Sequence, residues 1–353
     1  MSPEAGHTYD FKRVAALSRR DGECLTPRAL ADWQIRVLKT GAWYEAVRAC
    51  QSLGADEALL APFSLGKRLQ PHTYHSGKAG YSTNSWSKYA AGLNCPSQST
   101  IEQVEELASG TRAWVESPFW ALFNCSESLH AHDGALRQLS PEIFDCVFPP
   151  GPRSRRVLRA NAPHDLCLDA LSCKVNGLEA LAAAVWVLRD ALQDGDPETC
   201  LESGGHLHSI LLMATAYGTL FQIRYSLMAF FHRHVFPLAG LRGIIINPSL
   251  TELMKSADAF LDYMLDLEDD GVINYAAPGD SSQWLKMLDG SLGEDLMHGI
   301  GPHYELRHEK ASPQEVKFVS VRAALRNWAS PIIEARERRK LPTDVRLQAC
   351  GLR

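Results

Sequence analysis

Several features that would reveal a reaction are missing from this 353-residue chain. Its nine cysteines contain no Cys-x-x-Cys pair, the spacing typical of redox motifs and of many zinc sites. There is no Gly-x-Ser-x-Gly nucleophile elbow, no Walker loop and no Gly-x-Gly-x-x-Gly fingerprint. Because no nucleophile or nucleotide-binding loop can be recognised, we expect a protein without enzymatic activity and without a cofactor.

An excess of positive charge and a long apolar run are also missing. The formal net charge is −5, whereas proteins that bind nucleic acid without sequence preference are normally basic. The N-terminus lacks the apolar core of a signal peptide. The strongest candidate for a membrane span, residues 209–231, is interrupted by Gln222 and Arg224 and so falls short of the roughly 20 apolar residues required. We therefore expect a cytoplasmic protein with reduced thiols and no membrane contact.

The composition is that of a folded protein, with 45% hydrophobic and 22% charged residues. A chain of this length usually forms more than one domain. Proline, glycine and arginine are concentrated in residues 148–156, a composition typical of an extended and solvated linker. We predict two domains, residues 1–152 and residues 153–353.

Helix-start signals predict a mostly α fold in both domains. Four segments place a Ser or Asn N-cap three residues before a Glu, ahead of an apolar run with helical period; these are residues 99–102, 176–179, 249–252 and 312–315. Gly195 and Gly271 follow two of the runs and are expected to end their helices. The predicted helices include residues 181–192, 250–269 and 316–328.

The N-terminal region and the strand signals complete the predicted fold. Residues 27–38 and 43–53 are predicted to form an antiparallel helix pair, because Thr40-Gly41 between them is typical of a break.

The β-branched segments 243–247 and 272–275 are short. We interpret them as buried connectors, and no run is long enough to predict a sheet.

Residues 83–108 have the pattern of a short aromatic helix, a glycine stop, a Pro-Ser turn and a second helix, which is typical of helix-turn-helix modules. Trp86 and Tyr89 are three residues apart, so both can hold the first helix against its domain. A helix that enters the major groove needs short polar or basic side chains near its start, and nearby cations can neutralise phosphates. The residues that fit these roles are Arg68, Lys78, Thr83, Asn84, Ser85 and Lys88.

This segment resembles the third and fourth helices of phage-repressor-type (Cro/CI-like) helix-turn-helix domains over about 25 residues. The matching positions are Ser85, Trp86, Ser87, Lys88, Tyr89, Gly92, Pro96, Ser97 and Thr100. The family's preceding helix is not matched, since residues 71–80 have the composition of a loop. The resemblance implies a regulator that binds double-stranded DNA, with a C-terminal sensing or dimerisation domain. The alternative is an ordinary helix pair with buried Trp86 and Tyr89.

A second hypothesis rests on the predicted helix 250–269. Asp258, Asp262 and Asp266 recur every four residues and therefore lie on one side of that helix. Such a side predicts a surface for a basic protein partner, as in a scaffold or an inhibitor. The alternative is a solubilising outer face. A homo-oligomer stays open, because amphipathic helices pack equally well within and between chains.

Three His-x-His units, residues 130–132, 206–208 and 232–234, suggest a His-dependent metalloenzyme as a third hypothesis. On a helix, residues two apart point about 200° apart around the axis and cannot share one ion. We therefore expect no metal and interpret the histidines as flanking the apolar stretch between them.

Overall fold

The computed structural model describes residues 3–18, 26–52, 60–71, 85–148, 177–241, 243–273, 281–292, 294–307 and 311–335. The fold is mostly α, as predicted, with one small sheet. The chain divides into two compact units, Met1–Glu127 with Tyr217–Phe230, and Ser128–Ala216 with Phe231–Arg353. The predicted domain boundary near residue 152 lies outside the described residues, and the division at that point stays a prediction.

The first unit is built from helices. They are α1 (Pro3–Leu17), α2 (Pro27–Gln51), α3 (Pro62–Leu69), α4 (Ser85–Ala90), α5 (Gln98–Leu107), α6 (Arg112–Glu116), a 3-10 helix (Pro118–Phe123), α11 (Gly218–Gln222) and the start of α12 (Arg224–His234). Helix α5 begins two positions earlier than the predicted signal implies, because its N-cap is Ser97 rather than Ser99. The Oγ of Ser97 accepts from the Thr100 amide at 3.2 Å.

Helix α2 is a single helix of 25 residues, so the predicted helix pair is wrong. Gly41 does not break it, because this glycine lies where the buried Arg13 side chain crosses the helix. A Cβ on Gly41 would lie 2.8 Å from both Cδ and Nε of Arg13. The glycine is therefore explained by a close approach between helices rather than by a turn.

A buried ionic network joins α1 to the other helices of this unit. Arg13 is fully buried; its Nε donates to the Ala90 carbonyl at 2.8 Å, and its guanidinium pairs with Glu45. Arg48 donates to the other Glu45 oxygen at 2.7 Å. Asp10 accepts from the Tyr225 amide at 2.7 Å, at the start of α12. Each buried charge thus has an opposite charge or several hydrogen bonds, as burial requires.

The second unit holds the remaining elements. They are a 3-10 helix (Leu129–His132), α7 (Asp133–Leu136), α8 (Pro141–Val147), α9 (Leu178–Asp194), α10 (Pro197–Ala214), the end of α12, a 3-10 helix (Phe236–Leu238), β1 (Gly240–Leu241), β2 (Ile244–Ile246), α13 (Leu250–Asp269), α14 (Ser281–Leu288), α15 (Glu294–Gly299), β3 (Tyr304–Leu306) and α16 (Pro313–Glu334).

Two predicted capping boxes form and fix the starts of α13 and α16. Ser249 and Glu252 exchange side-chain-to-backbone bonds at 2.7 and 3.2 Å, and Ser312 and Glu315 do the same at 2.6 and 3.2 Å. Helix α13 ends at Asp269, as predicted, and Gly271 follows it with φ +70°. Helix α16 continues to Glu334, beyond the predicted residue 328.

Asn176, the first residue of the box predicted at 176–179, lies outside the described residues. The N-cap of α9 is Gly177. The Glu179 carboxylate accepts from the Ser140 amide. The predicted end of this helix is confirmed, since Gly195 adopts a left-handed conformation with φ +69°.

A three-stranded antiparallel sheet in the order β1-β2-β3 corrects the prediction that residues 243–247 are a connector. Gly240 pairs with Ile245, and Ile244 pairs with Leu306. Ile244 and Ile246 are buried, whereas Ile245 is half-buried. The 209–231 stretch is divided among α10, α11 and α12. Within the described ranges, no helix combines the length and apolar character that crossing a bilayer requires.

Candidate binding cleft

A cleft of about 440 Å³ lies along α13 in the second unit. Helix α13 provides one wall, the end of α15 with Ile300 provides another, and α16 provides the third. The volume is in the range of sites that hold a small molecule or a few side chains. Since three helical segments form it, the cleft is positioned by packed secondary structure rather than by loops.

The sequence of α13 explains why its polar residues reach the cleft. Buried apolar side chains recur at helical spacing along its core-facing side, at Leu253, Ala257, Phe260, Met264 and Leu267. The intervening positions, including Asp258 and Asp262, lie outside that side and line the cleft.

The described lining has an excess of negative charge. It contains four carboxylates and two cations, an excess of two negative charges. The charged residues are Glu252, Asp258, Asp262, Glu334, Lys255 and Arg326. Tyr263, Ile300 and Ile333 supply apolar surface beside these charges. Such a site favours a ligand that has both a cationic group and an apolar part.

One carboxylate of the lining is fixed in place by several partners. Glu252 accepts from the Ser249 amide at 2.7 Å, and its Oε1 lies 3.1 Å from Nδ1 of His303. On the other side of the imidazole, Nε2 lies 3.4 Å from Glu305 Oε1. Burial raises the pKa of Glu252, but the Ser249 hydrogen bonds and the charges of His303 and Arg326 outweigh it and leave this pKa below its usual value. Glu252 is therefore ionised at neutral pH.

Arg326 is the other fixed charge of the cleft. Its guanidinium donates to the Gly301 carbonyl, and among the described residues no carboxylate forms a salt bridge with it. Burial lowers the pKa of Arg326, and the charges of Glu252 and Tyr304 only partly offset this. The same residue also lines a second, smaller cavity of about 90 Å³.

The structure brings together part of the predicted acidic surface. Asp258 and Asp262 line the cleft, whereas Asp266, one turn further along α13, is half-buried and is not in the described lining. The sequence reasoning missed Arg326 and His303. Arg322 and Arg326 lie four residues apart in the predicted helix, and this spacing was the available signal for Arg326. No local pattern indicated His303.

The predicted DNA-binding residues lie in the first unit where they are described. Arg68 and Lys88 are exposed and Ser85 is half-buried, while Lys78, Thr83 and Asn84 lie outside the described residues. Arg68 donates to the backbone and side chain of Gln51. The double-stranded DNA interface stays a prediction.

The helices around that segment form an ordinary packed core. Trp86 and Tyr89 are 1% and 8% exposed and contact each other with ring centroids 5.8 Å apart. The Trp86 Nε1 donates to Gln70 at 3.1 Å. Helix α5, beside them, exposes Glu102 and Glu106. This acidic surface is unfavourable for a neighbouring phosphate backbone.

The structure describes the surroundings of His208 and His232, which belong to two of the histidine pairs. His208 is buried on α10, and burial, with a smaller effect of Arg326, lowers its pKa to about 3. His232 Nδ1 lies 2.9 Å from the Pro248 carbonyl oxygen. In the part of the chain that the structure describes, no three His, Cys, Asp or Glu side chains are arranged to hold a metal ion.

The chain matches no protein-family model, no curated protein and no solved structure.

Proposed function

We propose that this chain is a non-enzymatic interaction protein that binds a basic segment of a partner protein in the cleft along α13. The observation that carries this proposal is the cleft lining, in which four carboxylates face two cations. A lysine or arginine side chain has an apolar stem and a cationic end. The stem suits Ile300 and Ile333, and the cationic end suits Asp258 and Asp262.

Electrostatics and rigidity both support a basic partner. A charge-assisted hydrogen bond contributes about 1.5–3 kcal/mol, so two such bonds give useful affinity even for one inserted side chain. All of the charged lining residues lie on α13 and α16, whose starts are fixed by capping boxes. A preformed site loses less free energy to ordering when the partner binds.

The test compares partner capture by three full-length proteins: wild type, the double variant Asp258→Asn with Asp262→Asn, and the control Asp269→Asn. Asp269 is exposed on the same helix and is not in the described lining. Captured proteins are cross-linked, identified by mass spectrometry, and their contact segments are synthesised as peptides. We expect a basic peptide that binds the wild type and the control but not the double variant, with an affinity that falls as salt is raised.

Equal binding of that peptide to all three proteins contradicts the proposal. So does a contact segment without lysine or arginine.

A further inference from the structure

Arg326 is a half-buried cation that forms no salt bridge with a carboxylate of the described residues. Its guanidinium donates to the Gly301 carbonyl. Glu252, whose charge raises the pKa of Arg326, already pairs with His303 and caps its own helix. A guanidinium in this position has unused donors and an uncompensated desolvation cost, which a bound anion would offset.

The smaller cavity beside Arg326 has the opposite electrostatic character from the cleft. Its described lining contains no carboxylate, but it includes Arg322, Arg326 and Asn327. The Arg322 guanidinium lies over the Tyr304 and Phe318 rings, at 5.7 and 5.4 Å, which holds it in place while its in-plane N–H groups stay available. Two arginines four residues apart on one helix repel each other, and an anion between them would remove that repulsion.

The size of the cavity favours an end group of a larger ligand, and its surroundings favour a carboxylate over a phosphate. A volume of about 90 Å³ is well below the roughly 300–1,000 Å³ of sites that hold a whole small molecule. A dianionic phosphate would also be repelled by the four carboxylates of the adjacent cleft. A single negative charge that is covalently joined to a cation avoids most of this repulsion.

We infer that the smaller cavity receives the C-terminal carboxylate of the bound segment, whose last residue is a lysine or arginine with its side chain in the acidic cleft. This inference rests on the proposed function. It adds that the protein recognises the C-terminal end of the partner chain. Arg326 lines both the smaller cavity and the cleft. A single terminal residue of the partner can therefore reach both sites.

The experiment uses an N-acetylated peptide of glycine and serine that ends in lysine, made once as the free acid and once as the amide. Both are titrated into the full-length protein and their dissociation constants compared by calorimetry. We expect the acid to bind tighter by on the order of 10- to 100-fold, the effect of a charge-assisted hydrogen bond or pair. In Arg326→Gln this ratio should fall close to one, because the free carboxylate loses its charged partner.

The matched control is Lys317→Gln, which removes a positive charge from an exposed position of the same helix outside both described linings; it should keep the wild-type ratio. Equal binding of acid and amide to the wild-type protein overturns the carboxylate site and leaves the proposed function intact. Absence of binding by either peptide overturns both. The wild-type comparison needs no variant, so misfolding of Arg326→Gln cannot hide the answer.

Discussion

Substituting Gly41 by alanine should destabilise the protein, although helix propensity alone predicts the reverse. In the interior of a helix, alanine is about 1 kcal/mol more favourable than glycine. Gly41 lies within the 25-residue helix α2, so a purely local view expects Gly41→Ala to raise stability by that amount.

The structure gives a larger opposing effect. The new Cβ would lie 2.8 Å from Cδ and Nε of Arg13, a side chain that is fully buried and bonded to Ala90, Gln222 and Glu45. Moving Arg13 breaks a buried ion pair, which typically costs about 3–5 kcal/mol. Alanine gains about 1 kcal/mol in helix propensity, so we expect the free energy of unfolding to fall by about 2–4 kcal/mol in total.

Urea unfolding followed by circular dichroism measures this loss as a lower midpoint. The control is Gly134→Ala, at a helical glycine where an added Cβ has nothing within 4 Å; it should be neutral or slightly stabilising. A Gly41→Ala protein as stable as the wild type, or more stable, would refute the close packing of Arg13 on α2.

Three further predictions follow from single positions. Gly92→Ala should cost about 2 kcal/mol or more in urea unfolding, because φ is +70° and the new Cβ would lie 2.8 Å from the Val37 carbonyl oxygen. Burial lowers the pKa of His208 to about 3, so stability should fall by up to about 1.4 kcal/mol per pH unit as pH drops below about 6.5, and His208→Leu should reduce that slope. If residues 83–108 bind duplex DNA, Arg68→Glu and Lys88→Glu should weaken salt-dependent binding measured by fluorescence anisotropy.

Each of these has a clear contrary outcome. Gly195 has a similar φ of +69°, but an added Cβ there would have nothing within 4 Å. If Gly195→Ala loses as much stability as Gly92→Ala, contact with Val37 plays no part in the effect at Gly92. An unchanged pH slope in His208→Leu would place the titrating group elsewhere. No duplex binding at low salt, or binding indifferent to both charge reversals, would remove the DNA hypothesis.

Features set by neighbouring residues could be predicted from the sequence. The start and end of α13 depend on Ser249, Glu252 and Gly271, which all act within one helical turn of the boundary. The period of four in Asp258 and Asp262 correctly placed both on one side of that helix.

Features that depend on distant partners could not be predicted. In the sequence, Gly41 is typical of a helix break. The structure shows that Arg13, from another helix, lies against this glycine. Strand Ile244–Ile246 is too short to be recognised by itself. It pairs with Tyr304–Leu306, which comes after α13, α14 and α15 in the sequence. In the same way, Arg326 and His303 become part of a site only when α13, α15 and α16 pack together.

The most direct test of the binding cleft is an amide proton–nitrogen NMR titration of the full-length protein with the lysine-terminated peptide acid. We predict that the shifted resonances belong to α13, α15 and α16 around Asp258, Asp262 and Arg326. Shifts centred on the exposed acidic residues Glu102 and Glu106 of α5, or no shifts at millimolar peptide, would contradict the assignment of the cleft as the binding site.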